Sequence, residues 1–372
     1  MAPYEVLVQA TIGDIYFVHQ RATRIAAWNL FLLAGIAGAS FISGYIIENL
    51  GYRWTFGICG ILFGVSMFLV VFLVPETSYN RPSPREFLST EKPSTNEEVA
   101  MEVKVTQEHV ETARPHGSIE PAMPYLQSLR IYNGTYSTAP LWKIMARPFI
   151  MFFYYPAVLW AFLIYGTTLT WIVVFSVVNG VIFVEPPYNF SVSQAGLTGL
   201  SPFILTIIGE IISGPANDWI CLKLAKRNHG VYEPEFRLVL MLVVIVLGTV
   251  GFFGFGITVH YVTSWSGPVI TYGIANMALA FASTCVFGYV LDSYPKLAEE
   301  AFVAINARNF LTFGLTYFVN DWLAKDGALE VFEVLGSCFL AVCALTVPLW
   351  VFGKKIRSSI ARTEWLNRFM LD

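Results

Sequence analysis

Apolar residues in this chain come in runs long enough to cross a bilayer, separated by short polar turns and, once, by a long polar stretch. A hydrocarbon core of about 30 Å needs about 20 mainly apolar residues per helix. Nine runs meet that need, near residues 2–20, 25–47, 54–75, 148–178, 195–219, 237–259, 266–291, 303–323 and 328–352. The first is interrupted by Glu5, Gln9 and Asp14, which suit an interfacial or bundle-buried helix as well as a span. The fourth is long enough to tilt, or to break near Gly166. Between Glu76 and Arg147 the pattern lapses: nine acidic and eight basic residues lie among prolines and serines with few large aliphatics, the composition of a solvated, disordered linker. The pattern predicts an all-α polytopic transmembrane helix bundle of about nine spans. Three helices fall in residues 1–75, the linker in 76–147, six helices in 148–353 and a polar tail in 354–372.

Within the second run, AGIAGASFISGYIIENLGYRWTF (Ala34 to Phe56) is filled with small residues. Glycine costs about 1 kcal/mol against alanine inside a helix, so helix propensity does not account for it. Gly35, Ala39 and Ser43 fall four apart, as do Ser40 and Gly44, so two adjacent stripes of one helix lack bulk. In lipid, helices associate by close packing of small residues, and such a face serves either a static contact or a sliding one. Trp54 beside Arg53 fits an interfacial anchor at headgroup depth.

Composition agrees with lipid as the main solvent. Of 372 residues 55% are hydrophobic and 13% charged, and the mean hydropathy is +0.58. A formal net charge of -3 gives no reason to expect a nucleic-acid partner. The five cysteines show no metal-ligand or CxxC spacing and read as small buried hydrophobes. The first charge is Glu5, so the N-terminus lacks the basic region of a cleavable signal peptide. With the linker in the cytosol, cytosolic segments carry 21 of the 23 basic residues, leaving only Arg53 and Lys325 outside. The outer loop VEPPYNFSVS then has no Lys or Arg and holds a sequon at Asn189, a glycosylation candidate or an idle motif.

Ionisable groups at membrane depth are costly and mark functional sites by default. Glu210 lies mid-span between Gly209 and Gly214, placed to take up a proton, meet a cationic substrate, or pair with a neighbouring helix. Glu5 follows the same logic at the first run, whereas Asp14 is near enough to Arg21 and Arg24 to pair with them. Asn276, Asn306, Arg308 and Asn309 form a further polar group, in which Arg308 stands close enough to the cytosolic boundary to snorkel. Tyr154, Tyr155, Trp160, Tyr165 and Trp171 make the fourth run aromatic, suiting an apolar or cationic organic substrate or ordinary packing. The five histidines show no zinc spacing and no phosphate-cradling loop follows a strand, so the sequence predicts no enzyme and no cofactor.

Three stretches carry a resemblance: APYEVLVQATIGDIYFVHQRATRIAAW at 2–28, GYIIENLGYRWTF at 44–56 and VPETSYNR at 74–81. They resemble the major facilitator superfamily, and within it the fungal drug:proton antiporter-like transporters of twelve helices. The match is to the family's fourth and fifth helices and its sixth helix's exit into the central loop. The resemblance implies a plasma-membrane transporter with a small organic solute, protons and the lipid bilayer as partners. It implies Glu210, Glu5, Asn276, Tyr165 and Trp160 as candidates for substrate contact or proton coupling, and Gly35, Gly38 and Gly44 as a conformational motif. Where the family carries Gly-Pro this chain has Ala39-Ser40, so the helix is expected to be straighter. GPANDWICLKLAKR loosely resembles the family's signature loop. That likeness implies Gly214, Asp218, Lys223, Lys226 and Arg227 as a second conformational motif, with Asp218 at a helix end; an ordinary charged loop is the alternative. The resemblance also places the start of the chain at the fourth helix. The expectation is nine of twelve helices, or alternatively a truncated, transport-inactive membrane protein or incomplete gene model with at most a binding or regulatory role.

Overall fold

A computed structural model describes residues 8, 11–12, 18–73, 140–295 and 297–371. All regular structure among them is helical: α1 (Val18–Leu50), α2 (Tyr52–Leu73), α3 (Leu141–Tyr154), α4 (Pro156–Ile182), α5 (Val192–Leu197), α6 (Leu200–Arg227), a 3-10 turn (Pro234–Leu240), α7 (Met241–His260), α8 (Ser266–Ser293), α9 (Ala298–Ile305), α10 (Arg308–Ala344), α11 (Thr346–Ala361) and α12 (Glu364–Leu371).

Seven helical stretches among the described residues are long and apolar enough to cross a membrane, against nine predicted. The difference has two sources, one of coverage and one of backbone geometry. The first predicted span, with Glu5 and Asp14, lies mostly outside the described residues. The predicted spans at 303–323 and 328–352 fall in one 64-residue helical stretch, which is broken inside α10 by Gly327 at φ 81, ψ 167. At about 1.5 Å per residue that stretch far exceeds one crossing of about 30 Å, and only glycine visits such a backbone conformation cheaply.

Two boundaries differ from expectation. The predicted turn at residues 21–24 is helical, and α1 runs 33 residues without interruption; Arg and Ala favour the helix, and neither Gly nor Pro falls there to stop it. The fourth run breaks at Tyr155 (φ -111, ψ 95), not near Gly166. Pro156 opens α4 and biases the residue before it toward the extended backbone seen at Tyr155. Gly166 is continuous helix, and a Cβ there would meet Arg308 Cβ at 3.3 Å, so this glycine serves close approach.

By contacts the chain divides into two units, Met1–Ile61 with Ala139–Asp372, and Leu62–Thr138. In the second, the described residues Leu62–Leu73 are helical, and their side chains are all exposed. Exposed Leu, Phe, Val and Met at every turn suit a lipid environment. In the first, α4 and α8 are the most buried helices. Phe175 on α4 meets Phe252 and Phe255 of α7, Tyr272 of α8 and Phe332 of α10, with ring centroids 4.7–5.6 Å apart. One aromatic cluster thus ties four helices together.

Candidate functional site

Helix α6 turns Thr206, Gly209, Glu210, Ser213 and Asn217 onto one buried face, the spacing of successive helical turns. Gly209 lets α8 come close: a Cβ there would stand 3.0 Å from Ala280 Cβ. This approach brings the Ser283 hydroxyl of α8 to 3.0 Å from Glu210 Oε1, where its one hydrogen is shared between that oxygen and the Ala280 carbonyl at 2.9 Å, while Ser213 and Thr284 hydroxyls meet at 2.7 Å. Glu210 is 5% exposed, and its Oε2 has no hydrogen-bond partner among the described residues. No basic side chain among them stands within ion-pair distance of it. An ionised carboxylate in such a place is uncompensated, which costs several kcal/mol. The arrangement accepts a proton or a cation at one oxygen while Ser283 holds the other.

The small-residue stretch of α1 forms a seam with α5 and α6. A Cβ on Gly44 would lie 2.9 Å from Gly196 Cα, and one on Gly199 would lie 2.7 Å from Ser40 Oγ. At those distances no larger residue fits without parting the helices. Gly38 faces the Phe203 ring. One turn beyond Gly44, Glu48 accepts hydrogen bonds from Ser191 Oγ at 3.1 Å and the Ser193 backbone N–H at 2.5 Å, holding the start of α5. Gly35 sits in open space on another face of α1. Asn189, just before α5, is in the left-handed region (φ 50) with its side chain exposed.

The aromatic and amide candidates are drawn into the helix packing. Trp160 donates its indole N–H to Thr346 Oγ1 at 3.0 Å, and Trp171 donates to the Leu335 carbonyl at 3.0 Å. Tyr154 alone of the five is largely exposed. Asn276 is buried and bonds within its own helix, to the Tyr272 carbonyl. Arg308 overturns the snorkelling expectation: its side chain is fully buried, with the guanidinium 4.8 Å over the Tyr165 ring. The close approach at Gly166 is what admits it. Glu5 lies outside the described residues.

The chain from Gly214 to Arg227 is helix, not loop, and Asp218 lies within α6 instead of at its end. Asp218 pairs with Arg237 at 3.7 Å, while Lys223 lies over the Trp219 ring and Lys226 and Arg227 occupy the exposed last turn. Gly214 has open space around it. Arg237 makes its closer bond to Asp292 at the end of α8, at 2.6 Å. Tyr232 donates to the same carboxylate, and burial together with that neighbour pushes its phenol above the usual range. Beside this group Arg357 of α11 grips buried Glu235 with two bonds of 2.7 Å, and Lys354 pairs with Glu233. A cavity of about 600 Å³, lined by Tyr155, Tyr232, Glu233, Tyr294, Lys354 and Arg357, opens at this charged end. The sequence reading missed these pairs because their partners stand 55 and 122 residues apart; acidic Glu233 and Glu235 beside the basic run were the available signal. Among the described residues no group of acids, histidines and cysteines is placed to hold a metal.

Comparison with known proteins gives one consistent result. The chain is 24% identical to an uncharacterized MFS-type transporter of Schizosaccharomyces pombe, over 96% of this chain and 67% of that protein. It is 23% identical to Protein HOL1 of Saccharomyces cerevisiae over 99% of this chain and 70% of the other. It is also 23% identical to Efflux pump radE of Floropilus chiversii over 94% and 60%. The chain therefore spans 60 to 70% of the length of these relatives. No solved structure matches it. The family model described as Major Facilitator Superfamily matches residues 1–318, and the chain, an integral multi-pass membrane protein, belongs to that superfamily.

Proposed function

We propose that this chain moves a small organic molecule across a membrane by alternating access, linked to a proton, with Glu210 as the coupling carboxyl. The observation that carries this reading is a mid-span acid buried between α6 and α8, held at one oxygen by Ser283 and with the other oxygen unbonded among the described residues. A transporter of this superfamily opens its site to each side in turn by rocking. The seam at Gly38, Ser40 and Gly44 is the surface we assign to that movement, and Asp218 with Arg237 and Asp292 the contact that favours one of the two states. Asn276, Tyr165 and Trp160 belong to the proposal as the packing that frames the path. The name of the radE relative, an efflux pump, supports the antiporter-like reading. The basic residues support a cytosolic position for the charged end, with Asn189 on the outer side as a glycosylation acceptor; the plasma-membrane setting belongs to the proposal on the family resemblance alone.

The test is flux of a cationic aromatic dye, rhodamine 6G, in proteoliposomes with an imposed pH gradient. Glu210→Gln keeps an oxygen for Ser283 and removes the titratable group. The expected result is loss of gradient-driven accumulation with dye exchange retained. Undiminished accumulation would remove Glu210 from the mechanism.

A further inference from the structure

Helix α3, LWKIMARPFIMFFY, ends at extended Tyr155, where Pro156 starts a new helix. With 27 residues, about 40 Å, α4 already exceeds the hydrocarbon thickness, so α3 is not needed to cross it. One face of α3 carries Trp142, Met145, Phe149 and Phe153, at i, i+3, i+7 and i+11, exposed by 65, 64, 69 and 76%. The opposite face is used: Met151 is fully buried, and Arg147 pairs with Glu300 of α9 at 3.6 Å. Helix α12 folds back onto α3, burying Leu366 and Met370. Phe369 meets Trp142 and lies under the Lys143 ammonium, and Trp365 meets Tyr154 edge to face. Helix α3 contains Lys143 and Arg147 and no acid, and Lys355 of α11 and Arg362 just after it are exposed.

We propose that α3, braced by α12, lies flat in the leaflet at the charged end, with its aromatic stripe at the boundary of headgroups and acyl chains and with Lys143, Lys355 and Arg362 drawn to anionic headgroups. Aromatic residues on one face with lysine and arginine beside them are the composition of an interfacial helix. The partner is a lipid surface rather than a protein because the stripe adjoins a spanning helix and the charge complements anionic lipid. The proposal is independent of any role for Glu210.

The test uses the full chain, with its native cysteines replaced, in bilayers of phosphatidylcholine with and without phosphatidylserine. Nitroxide labels at Trp142→Cys, Met145→Cys, Phe149→Cys and Phe153→Cys occupy exposed positions; Trp142 also touches Phe369 of α12, so the melting temperature of each labelled protein is compared with the parent's. Collision with oxygen and with an aqueous nickel chelate reports depth. The expected result is equal depth for all four labels, about 5–10 Å below the headgroups. Phosphatidylserine should further lower nickel access, and Lys143→Glu should abolish that dependence. A depth that climbs by about 16 Å from residue 142 to 153 would make α3 part of a crossing and overturn the proposal. Free access of nickel to the stripe, or shielding from both reagents by protein, would overturn it equally.

Discussion

Replacing Arg357 with alanine leaves a carboxylate behind in a place water scarcely reaches. Glu235 is 5% exposed and Arg357 22%, so the two halves of this pair are not equivalent. Removing one member of a buried pair costs roughly 3–5 kcal/mol, mostly because the other charge is stranded. With some solvent at Arg357, the lower end, about 3 kcal/mol, is the expected loss for Arg357→Ala. Glu235→Gln strands only the guanidinium, which can turn to water, and keeps a neutral acceptor, so about 1 kcal/mol is expected. The double variant should therefore be more stable than Arg357→Ala alone. Thermal unfolding in detergent reads this directly, at on the order of 2–4 °C per kcal/mol for a chain somewhat smaller than this one. Equal losses in the two single variants, or a double variant worse than either, would refute the reasoning from burial. Gly353 offers a check from the other side, since a Cβ there would press on Glu235 Oε1 at 2.7 Å.

Other outcomes follow from the same geometry. In a background without native cysteines, Ser40→Cys with Gly199→Cys should cross-link on mild oxidation once the seam parts by about half an ångström, from the 3.1 Å between the two Cβ positions to the roughly 3.5–4.5 Å of a disulfide; dye flux should stop and return on reduction, and undiminished flux in the cross-linked protein would show that the seam does not move. Gly44→Val should part α1 from α5 at a cost of about 1–3 kcal/mol, read as a lower melting temperature and faster proteolysis of the loop before α5. Trp160→Phe takes the donor from Thr346 and should cost about 1–2 kcal/mol of stability while leaving the apparent affinity for the dye unchanged; the opposite pattern would make Trp160 a solute contact.

Much of the fold could be read from the chain because lipid imposes a simple rule: apolar runs of sufficient length become helices, and their ends are polar. The small stretch on α1 was legible for the same reason, since glycine at one helical spacing has few other uses in a membrane. Its partners, Gly196 and Gly199, were not, because one helix does not announce which neighbour it meets. The break at Tyr155 was available in Pro156, and the length of the run drew attention instead to Gly166. Arg308 was misjudged because its distance along the helix suggests the interface, whereas the Tyr165 face and the gap at Gly166 that bury it come from another helix. Glu210 stood out as a mid-span acid, but Ser283, its partner 73 residues away, depends on the packing of α6 on α8.

The Phe175 cluster joins α4, α7, α8 and α10 through rings that interlock in three dimensions. Interlocked rings resist shear as well as separation, because sliding any one helix would have to rotate or extract several of them together. These four helices behave mechanically as a stiff block. Among the described residues, the glycine contacts of α1 with α5 and α6 have no such cluster of rings across them, so under the proposed rocking they are where deformation would fall first.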